Sequence, residues 1–134
     1  MKRIISTTML TFLLIFVFLI SCDDWGSNIN EVPIFPEKDV SFQEHVQPYM
    51  MISCSFAGCH SDYSMAGGRR MTTYFSYFEA ANVGLITIGK PEKSYLAQIM
   101  DGTFPHVEPL PRNYITDNSI EGIKTWIREG AKNN

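Results

Sequence analysis

The sequence has little that would bind a nucleic acid or a nucleotide. It carries 11 Lys and Arg residues against 14 Asp and Glu residues, a formal net charge of −3, and its basic residues form no cluster. It also has no glycine-rich phosphate loop, no internal repeat and no Ser, His and Asp arrangement of the hydrolase kind. These features argue against nucleic-acid partners and against the common nucleotide-binding and hydrolase classes.

Cysteine and histidine are scarce, with three of each, and two of the cysteines lie close to a histidine. In the stretch CSFAGCH, residues 54–60, the histidine directly follows the second cysteine. Each thiol can add to one vinyl group of a porphyrin, and the adjacent imidazole would then bind the iron as its proximal ligand. The stretch therefore predicts one covalently attached haem c, held by Cys54, Cys59 and His60.

The spacing of this motif departs from the common one, which has two residues between the cysteines where this chain has four. The longer loop must bulge outward, and Ala57 and Gly58 are small enough to allow this, with Gly58 free to take a positive φ. Two other interpretations of the cysteine pair stay open. The thiols could form a small disulfide in an exported protein, or bind a metal ion, although zinc would need further ligands that no second Cys/His cluster supplies.

The N-terminus has the features of a bacterial lipoprotein signal. Basic residues precede an apolar run at positions 9–20, which is too short for an ordinary membrane-spanning helix. The run ends in Leu-Ile-Ser-Cys at 19–22, which resembles a lipobox, in which cleavage before the cysteine would leave Cys22 as an acylated N-terminus. An uncleaved anchor, or an ordinary signal with an incidental cysteine, is the alternative.

The sequence thus divides into three expected segments. These are a lipoprotein signal peptide at 1–21, a flexible lipid-anchored tether at 22–40 and one small folded domain at 41–134. Acyl chains on Cys22 would hold the domain at a periplasm-facing membrane or at the outer-membrane surface. Export agrees with the haem assignment, because haem c is generally attached outside the cytoplasmic membrane. All three cysteines are then accounted for.

The first half of the domain has signals for two helices. Ser41 and Glu44 form a capping box that should begin the first helix, and Pro48 should kink or end it. His45 in this helix is either a second axial ligand or propionate partner, or a half-exposed helical histidine. A threonine at 72 or 73 should then cap a short aromatic helix that runs toward Asn82.

The second half has signals for two more helices. Pro91 suits the first turn of a helix that carries the apolar residues of 95–100 and stops at Gly102. A cap-like pair at Asn118 should begin the last helix, and residues 131–134 are expected to fray. Between these helices lies the loop FPHVEPLP, whose three prolines favour a rigid extended conformation.

The order of these features resembles that of small class I cytochrome c domains of bacterial lipoproteins. The stretches that carry the resemblance are residues 42–48, 54–60, 89–96 and 126–131. The resemblance covers about Ser41 to Asn134 and implies an all-α cytochrome c-like fold of about four helices, whose first and last helices cross near the haem edge. It also implies that Cys54 and Cys59 are the thioether residues and that His60 is the proximal ligand.

The distal ligand does not follow from the resemblance. Relatives usually place a Met-Pro pair in the proline-rich loop, whereas this chain has His-Val-Glu-Pro at 106–109 and no methionine there. His106 could bind the iron and give a bis-histidine haem of lower potential, since thioether ligation generally raises the potential. Met100 could reach the iron instead, or the sixth position could be open.

These observations predict a membrane-tethered electron-transfer protein that exchanges electrons with redox partner proteins, and we expect a carrier rather than an enzyme. The iron would change oxidation state while both axial ligands stay bound. An open sixth position would suit a peroxidase-like enzyme or a gas sensor, with His106 and Glu108 as a distal acid-base pair. A haem-free surface-binding lipoprotein of the same fold, with a disulfide between its cysteines, is a third interpretation.

Overall fold

The computed structural model describes residues 31–107 and 110–134. The expected signal peptide, Cys22 and Glu108 lie outside the described residues. Within the two described ranges the chain forms three α-helices, one π-helical turn, several 3-10 turns and no β-strand, which confirms the all-α class for this part of the chain. No helix in these ranges is long and apolar enough to cross a membrane.

The first helix begins after Ser41, as the sequence predicts. The Ser41 hydroxyl accepts the Glu44 N–H at 3.2 Å. The first turn is a π-helix, Phe42–Val46, and the chain continues as helix α1, Gln47–Ser53. The helix therefore does not end at Pro48. Because proline has no N–H to donate, the wider π-helical turn before it takes up the local change in backbone spacing.

The aromatic segment is 3-10 helical rather than α-helical. Thr73 precedes the 3-10 helix Tyr74–Phe78, and its N–H donates to the Ser76 hydroxyl at 3.3 Å. After an extended Glu79, a second 3-10 turn spans Ala80–Asn82. The described part of the chain consequently has three α-helices, where about four helices were expected.

The third helical region is broken after its proline. A 3-10 turn spans Pro91–Lys93, Ser94 is extended, and helix α2 then spans Tyr95–Met100. We expected Pro91 to lie in the first turn of the α-helix. It instead begins a separate turn. Gly102, with φ of 80°, follows the end of α2 and confirms the predicted stop.

The last helix, α3, spans Asp117–Arg128, and its N-cap is Thr116. The Thr116 hydroxyl accepts the Ser119 N–H at 3.1 Å, and the Ser119 hydroxyl accepts the Thr116 N–H at 2.9 Å. The cap predicted at Asn118 is wrong, because Asn118 lies inside the helix. Its side-chain amide instead accepts from the N–H of Phe35 at 2.8 Å and donates to the carbonyl of Phe35 at 3.0 Å.

One hydrophobic core joins the first and last helical segments. The Phe42 and Trp126 ring centroids lie 5.6 Å apart, and the Tyr77 ring packs edge-on against Phe42 at 5.8 Å. All three side chains are almost fully buried. The predicted packing of the terminal helix against the first helix is confirmed by these contacts.

The residues after α3 are held by hydrogen bonds, so the expected fraying is wrong. Asn134 accepts from the Ser41 hydroxyl at 2.7 Å and from the Phe42 N–H at 3.0 Å. The Trp126 indole donates to the carbonyl of Lys132 at 2.9 Å. The tail thereby satisfies N–H groups at the start of the first helix that have no partner within the helix.

Packing also extends upstream of Ser41, into the segment assigned to the tether. Phe35 is only 3% exposed and belongs to the core. Its ring lies so close to Gly122 of α3 that a β-carbon on Gly122 would come within 2.1 Å of the Phe35 side chain. The end of the expected tether is thus part of the packed domain.

This contact predicts that Gly122→Ala destabilises the protein by about 3 kcal/mol, because the new methyl group would overlap the Phe35 ring. At an ordinary helical position the same change would stabilise by up to about 1 kcal/mol. Urea unfolding followed by circular dichroism measures the effect. Phe35→Ala should also destabilise, but the double variant should lose less stability than the sum of the two. Strictly additive losses would contradict the contact.

Candidate haem-binding site

The two cysteines and the adjacent histidine lie at the C-terminal end of α1. The N–H of Cys54 donates to the carbonyl of Met50 at 2.9 Å, and the N–H of His60 donates to the carbonyl of Cys54 at 3.0 Å. Gly58 has φ of 91°, which confirms the positive φ expected for the bulged loop. The backbone thus closes into a compact turn that holds Cys54, Cys59 and His60 together.

Both cysteines of the turn are free thiols. Cys54 packs against the core, and burial of its sulfur raises the pKa of the thiol to about 11. The Ser53 hydroxyl lies 3.4 Å from the Cys54 sulfur and opposes this shift in part. Cys54 therefore carries a protonated, uncharged thiol at neutral pH, and neither sulfur is part of a disulfide.

His60 is held on two sides by the segment that follows it. Its Nδ1 lies 3.1 Å from the carbonyl oxygen of Arg69, and its own carbonyl accepts the N–H of Met71 at 2.9 Å. A carbonyl can only accept, so Nδ1 carries the proton and Nε2 is the unprotonated nitrogen. Histidines that bind metals commonly donate their other N–H in this way. Burial also lowers the pKa of His60, which favours the neutral, metal-binding form.

The proline-rich loop brings His106 next to His60, although the two are far apart in the sequence. Their ring centroids lie 6.0 Å apart, with an angle of 75° between the ring planes. Two imidazoles on opposite sides of one metal ion have centroids roughly 6 Å apart, because each nitrogen lies about 2.0 Å from the metal. The centroid distance of 6.0 Å therefore agrees in length with that of two imidazoles that share one metal ion.

His106 also has an unsatisfied ring nitrogen. Its Nδ1 is buried and makes no hydrogen bond with any residue in the described part of the chain. A buried polar atom without a partner costs free energy, and such atoms are rare in folded proteins. Ligation of a metal ion through Nδ1 itself would give this atom the partner that it lacks.

A cavity of about 510 Å³ adjoins His106 on the side of α2, within the size range of small-molecule and cofactor pockets. Its lining residues are Ile99, Met100, Asp101, Gly102, Phe104, Pro105, His106, Leu110, Arg112 and Ile115. Met100 is buried and lines this cavity, which keeps it near the predicted site. Cys54, Cys59 and His60 do not line the cavity, so it adjoins the histidine pair from the His106 side alone.

The third histidine has a local role in the first helix. His45 Nδ1 accepts the N–H of Ser41 at 3.2 Å, and its ring centroid lies 6.2 Å from that of Phe35. These contacts favour the interpretation of His45 as a half-buried helical residue. In the two described ranges, no group of three or more His, Cys, Asp or Glu side chains is arranged to hold a metal ion.

Sequence reasoning missed the residues that hold His60 in place. The carbonyl of Arg69 has no signature in the sequence, because every residue carries a carbonyl. The side chain of the next residue, Arg70, pairs with Glu79 and lies 3.7 Å from Asp62. Asn82, which is buried beside this segment, was assigned only the end of a helix.

No protein-family model, no curated protein and no solved structure is significantly similar to this chain. The resemblance to class I cytochromes c therefore stays a prediction from the motifs.

Proposed function

We propose that this protein is a haem c-binding electron-transfer lipoprotein in which His60 and His106 are the two axial ligands of the iron. The observation that carries the proposal is the histidine pair, with ring centroids 6.0 Å apart. The buried Nδ1 of His106, which has no hydrogen-bond partner in the described part of the chain, adds support because such atoms are rare in folded proteins.

The residues of the turn would have different roles in binding the haem. Cys54 and Cys59 would each add their S–H across one vinyl C=C bond, which forms a thioether with no atom lost. His60 would bind through Nε2, because its Nδ1 proton is committed to the carbonyl of Arg69. The bound haem would supply reversible one-electron chemistry.

His106 would complete the coordination and set the potential. A bis-histidine haem has a lower reduction potential than a His/Met haem, since thioether ligation raises the potential. Met100 is the replacement ligand to test, because it lines the cavity beside His106. A closed six-coordinate site favours electron transfer over catalysis, because no position is left for a substrate.

The lipid anchor on Cys22 remains part of the proposal. Acylation there would confine the domain to a periplasm-facing membrane or the outer-membrane surface and restrict its redox partners to proteins that reach that surface. Cleavage before Cys22 would remove Lys2 and Arg3 and leave 9 Lys and Arg against 14 Asp and Glu, a formal charge of −5. This charge suits a basic partner surface, toward which it would speed encounters at low ionic strength.

The test is expression of the full chain in a bacterial host with and without haem c maturation machinery. With the machinery, we expect haem that stays on the protein in a denaturing gel, and low-spin visible spectra in both oxidation states. Without the machinery, the gel should show no haem. A high-spin spectrum would indicate an open sixth position and the enzyme or sensor function, and absence of covalent haem in the competent host would contradict the proposal.

A further inference from the structure

We propose that Asn82 is a positioning residue for His60. By holding the backbone at Arg69 and Arg70, Asn82 fixes the tautomer of the proximal imidazole. This inference rests on the proposed function where it concerns the haem potential. Where it concerns the tautomer, it can be measured on the haem-free protein.

Asn82 is a buried hub of hydrogen bonds, with only 1% of its surface exposed. Its side-chain amide donates to the carbonyl of Arg70 at 2.9 Å and to the carbonyl of Ser76 at 2.7 Å. Its side-chain oxygen accepts from Arg69 Nη1 at 3.5 Å. Asn82 therefore connects the Arg69–Arg70 segment to the 3-10 helix Tyr74–Phe78 through hydrogen bonds.

The segment held by Asn82 is the one that holds His60. The carbonyl of Arg69 accepts the His60 Nδ1 proton at 3.1 Å, and the N–H of Met71 donates to the His60 carbonyl at 2.9 Å. The Arg70 carbonyl, which Asn82 binds, lies between these two contacts along the chain. Displacing it would move the peptide that supplies the His60 acceptor.

The exposed ion pair on the same segment is a weaker constraint. Arg70 and Glu79 form a two-point contact, but both side chains are substantially exposed. Ion pairs of that kind typically contribute about 1 kcal/mol or less. Two buried amide donors to backbone carbonyls leave unsatisfied groups behind when they are removed, so the buried contact dominates.

The consequence is chemical rather than only structural. Without a carbonyl at Nδ1, the imidazole is free to carry its proton on Nε2, the nitrogen that should bind the iron. The Nδ1–H to carbonyl bond also makes the imidazole a stronger electron donor, which stabilises ferric over ferrous iron. Loss of Asn82 should therefore raise the reduction potential.

The experiment compares Asn82→Ala with the parent protein. In haem-free protein, ¹⁵N NMR of the imidazoles should show the Nδ1–H tautomer of His60 in the parent and its loss as the dominant form in the variant. In haem-loaded protein, the ferric–ferrous equilibrium should shift about tenfold toward ferrous, by analogy with other outer-shell changes. For one electron this corresponds to a rise of about 59 mV in midpoint potential.

Asn118→Ala is the control. Asn118 also makes two side-chain hydrogen bonds to the backbone, but it is exposed, so its loss should cost less stability than loss of the buried Asn82, and no hydrogen bond links it to His60 in the described structure. It should change neither the tautomer nor the potential. Equal effects of the two variants would show general loosening and overturn the inference.

Two further outcomes separate this inference from the proposed function. If the parent binds haem but Asn82→Ala leaves the tautomer and the potential unchanged, the inference is wrong and the proposed function stands. If the parent binds no haem, the proposed function fails and the tautomer alone decides the role of Asn82. Should Asn82→Ala not fold, Asn82→Ser retains one donor and should give a smaller shift in the same direction; no shift there overturns the inference.

Discussion

His106→Ala should convert the haem-loaded protein from a low-spin, six-coordinate form into a high-spin form that binds carbon monoxide when reduced. The ring centroids of His106 and His60 lie 6.0 Å apart, and alanine has no atom that can bind iron. If the open form of the parent is populated at about 1%, removal of His106 should tighten carbon monoxide binding about 100-fold. Visible spectra and carbon monoxide titration of the ferrous protein measure both effects.

Two matched variants identify the ligand. His45→Ala removes the other non-proximal histidine, which caps its own helix, and should stay low-spin with unchanged carbon monoxide binding. Met100→Leu removes the alternative ligand at nearly constant volume and should also stay low-spin. If Met100→Leu becomes high-spin while His106→Ala does not, Met100 is the distal ligand and the assignment of His106 is wrong.

A substitution that supplies a thioether extends the same test. His106→Met should restore low-spin spectra if the side chain reaches the iron, and it should raise the midpoint potential above that of the parent. A bis-histidine parent and a His/Met variant would then differ in potential in the direction set by ligand type. An unchanged potential would show that position 106 does not ligate.

The sequence could predict the local part of the candidate site. Cys54, Cys59 and His60 lie within seven residues, so their proximity required no tertiary information, and the positive φ of Gly58 followed from loop length. The sequence also indicated His106 as a candidate, because three prolines restrict its loop to few conformations. That His106 lies beside His60 depends on the fold, because the two residues are far apart in the sequence.

The rest of the site depends on backbone groups that no sequence motif predicts. The acceptor for His60 is the carbonyl of Arg69, and Asn82 fixes that carbonyl through the next peptide. An asparagine near the end of a helical segment suggests a cap or a turn from sequence alone. Its burial, which makes it a hub, results from packing of segments that are distant in the chain.

Two errors in the fold have a related cause, which is competition between similar local signals. Thr116 with Ser119 and Asn118 with Glu121 both fit a cap pattern, and the structure uses the first because Asn118 binds the backbone of Phe35. The final residues were expected to fray for lack of any local signal. They are held by long-range hydrogen bonds to the start of the first helix, which local sequence patterns cannot predict.

Replacement of both Cys54 and Cys59 by serine should abolish covalent haem attachment. The serine hydroxyl keeps the size of the thiol but does not add to a vinyl group under the conditions of haem maturation, so no thioether can form. Haem staining of a denaturing gel should fall from a strong band to background. Each single substitution should leave one thioether, and pyridine haemochrome spectra should show one saturated vinyl group instead of two.

Cys22→Ser is the control for this change, because Cys22 is the one cysteine of the sequence outside the CSFAGCH stretch. It lies outside the described residues, and its predicted role is lipid attachment. Cys22→Ser should keep the haem band while the protein no longer takes up a labelled fatty acid. Loss of haem in Cys22→Ser, or a normal haem band in the double variant, would contradict the assignment of one cysteine to lipid and two to haem.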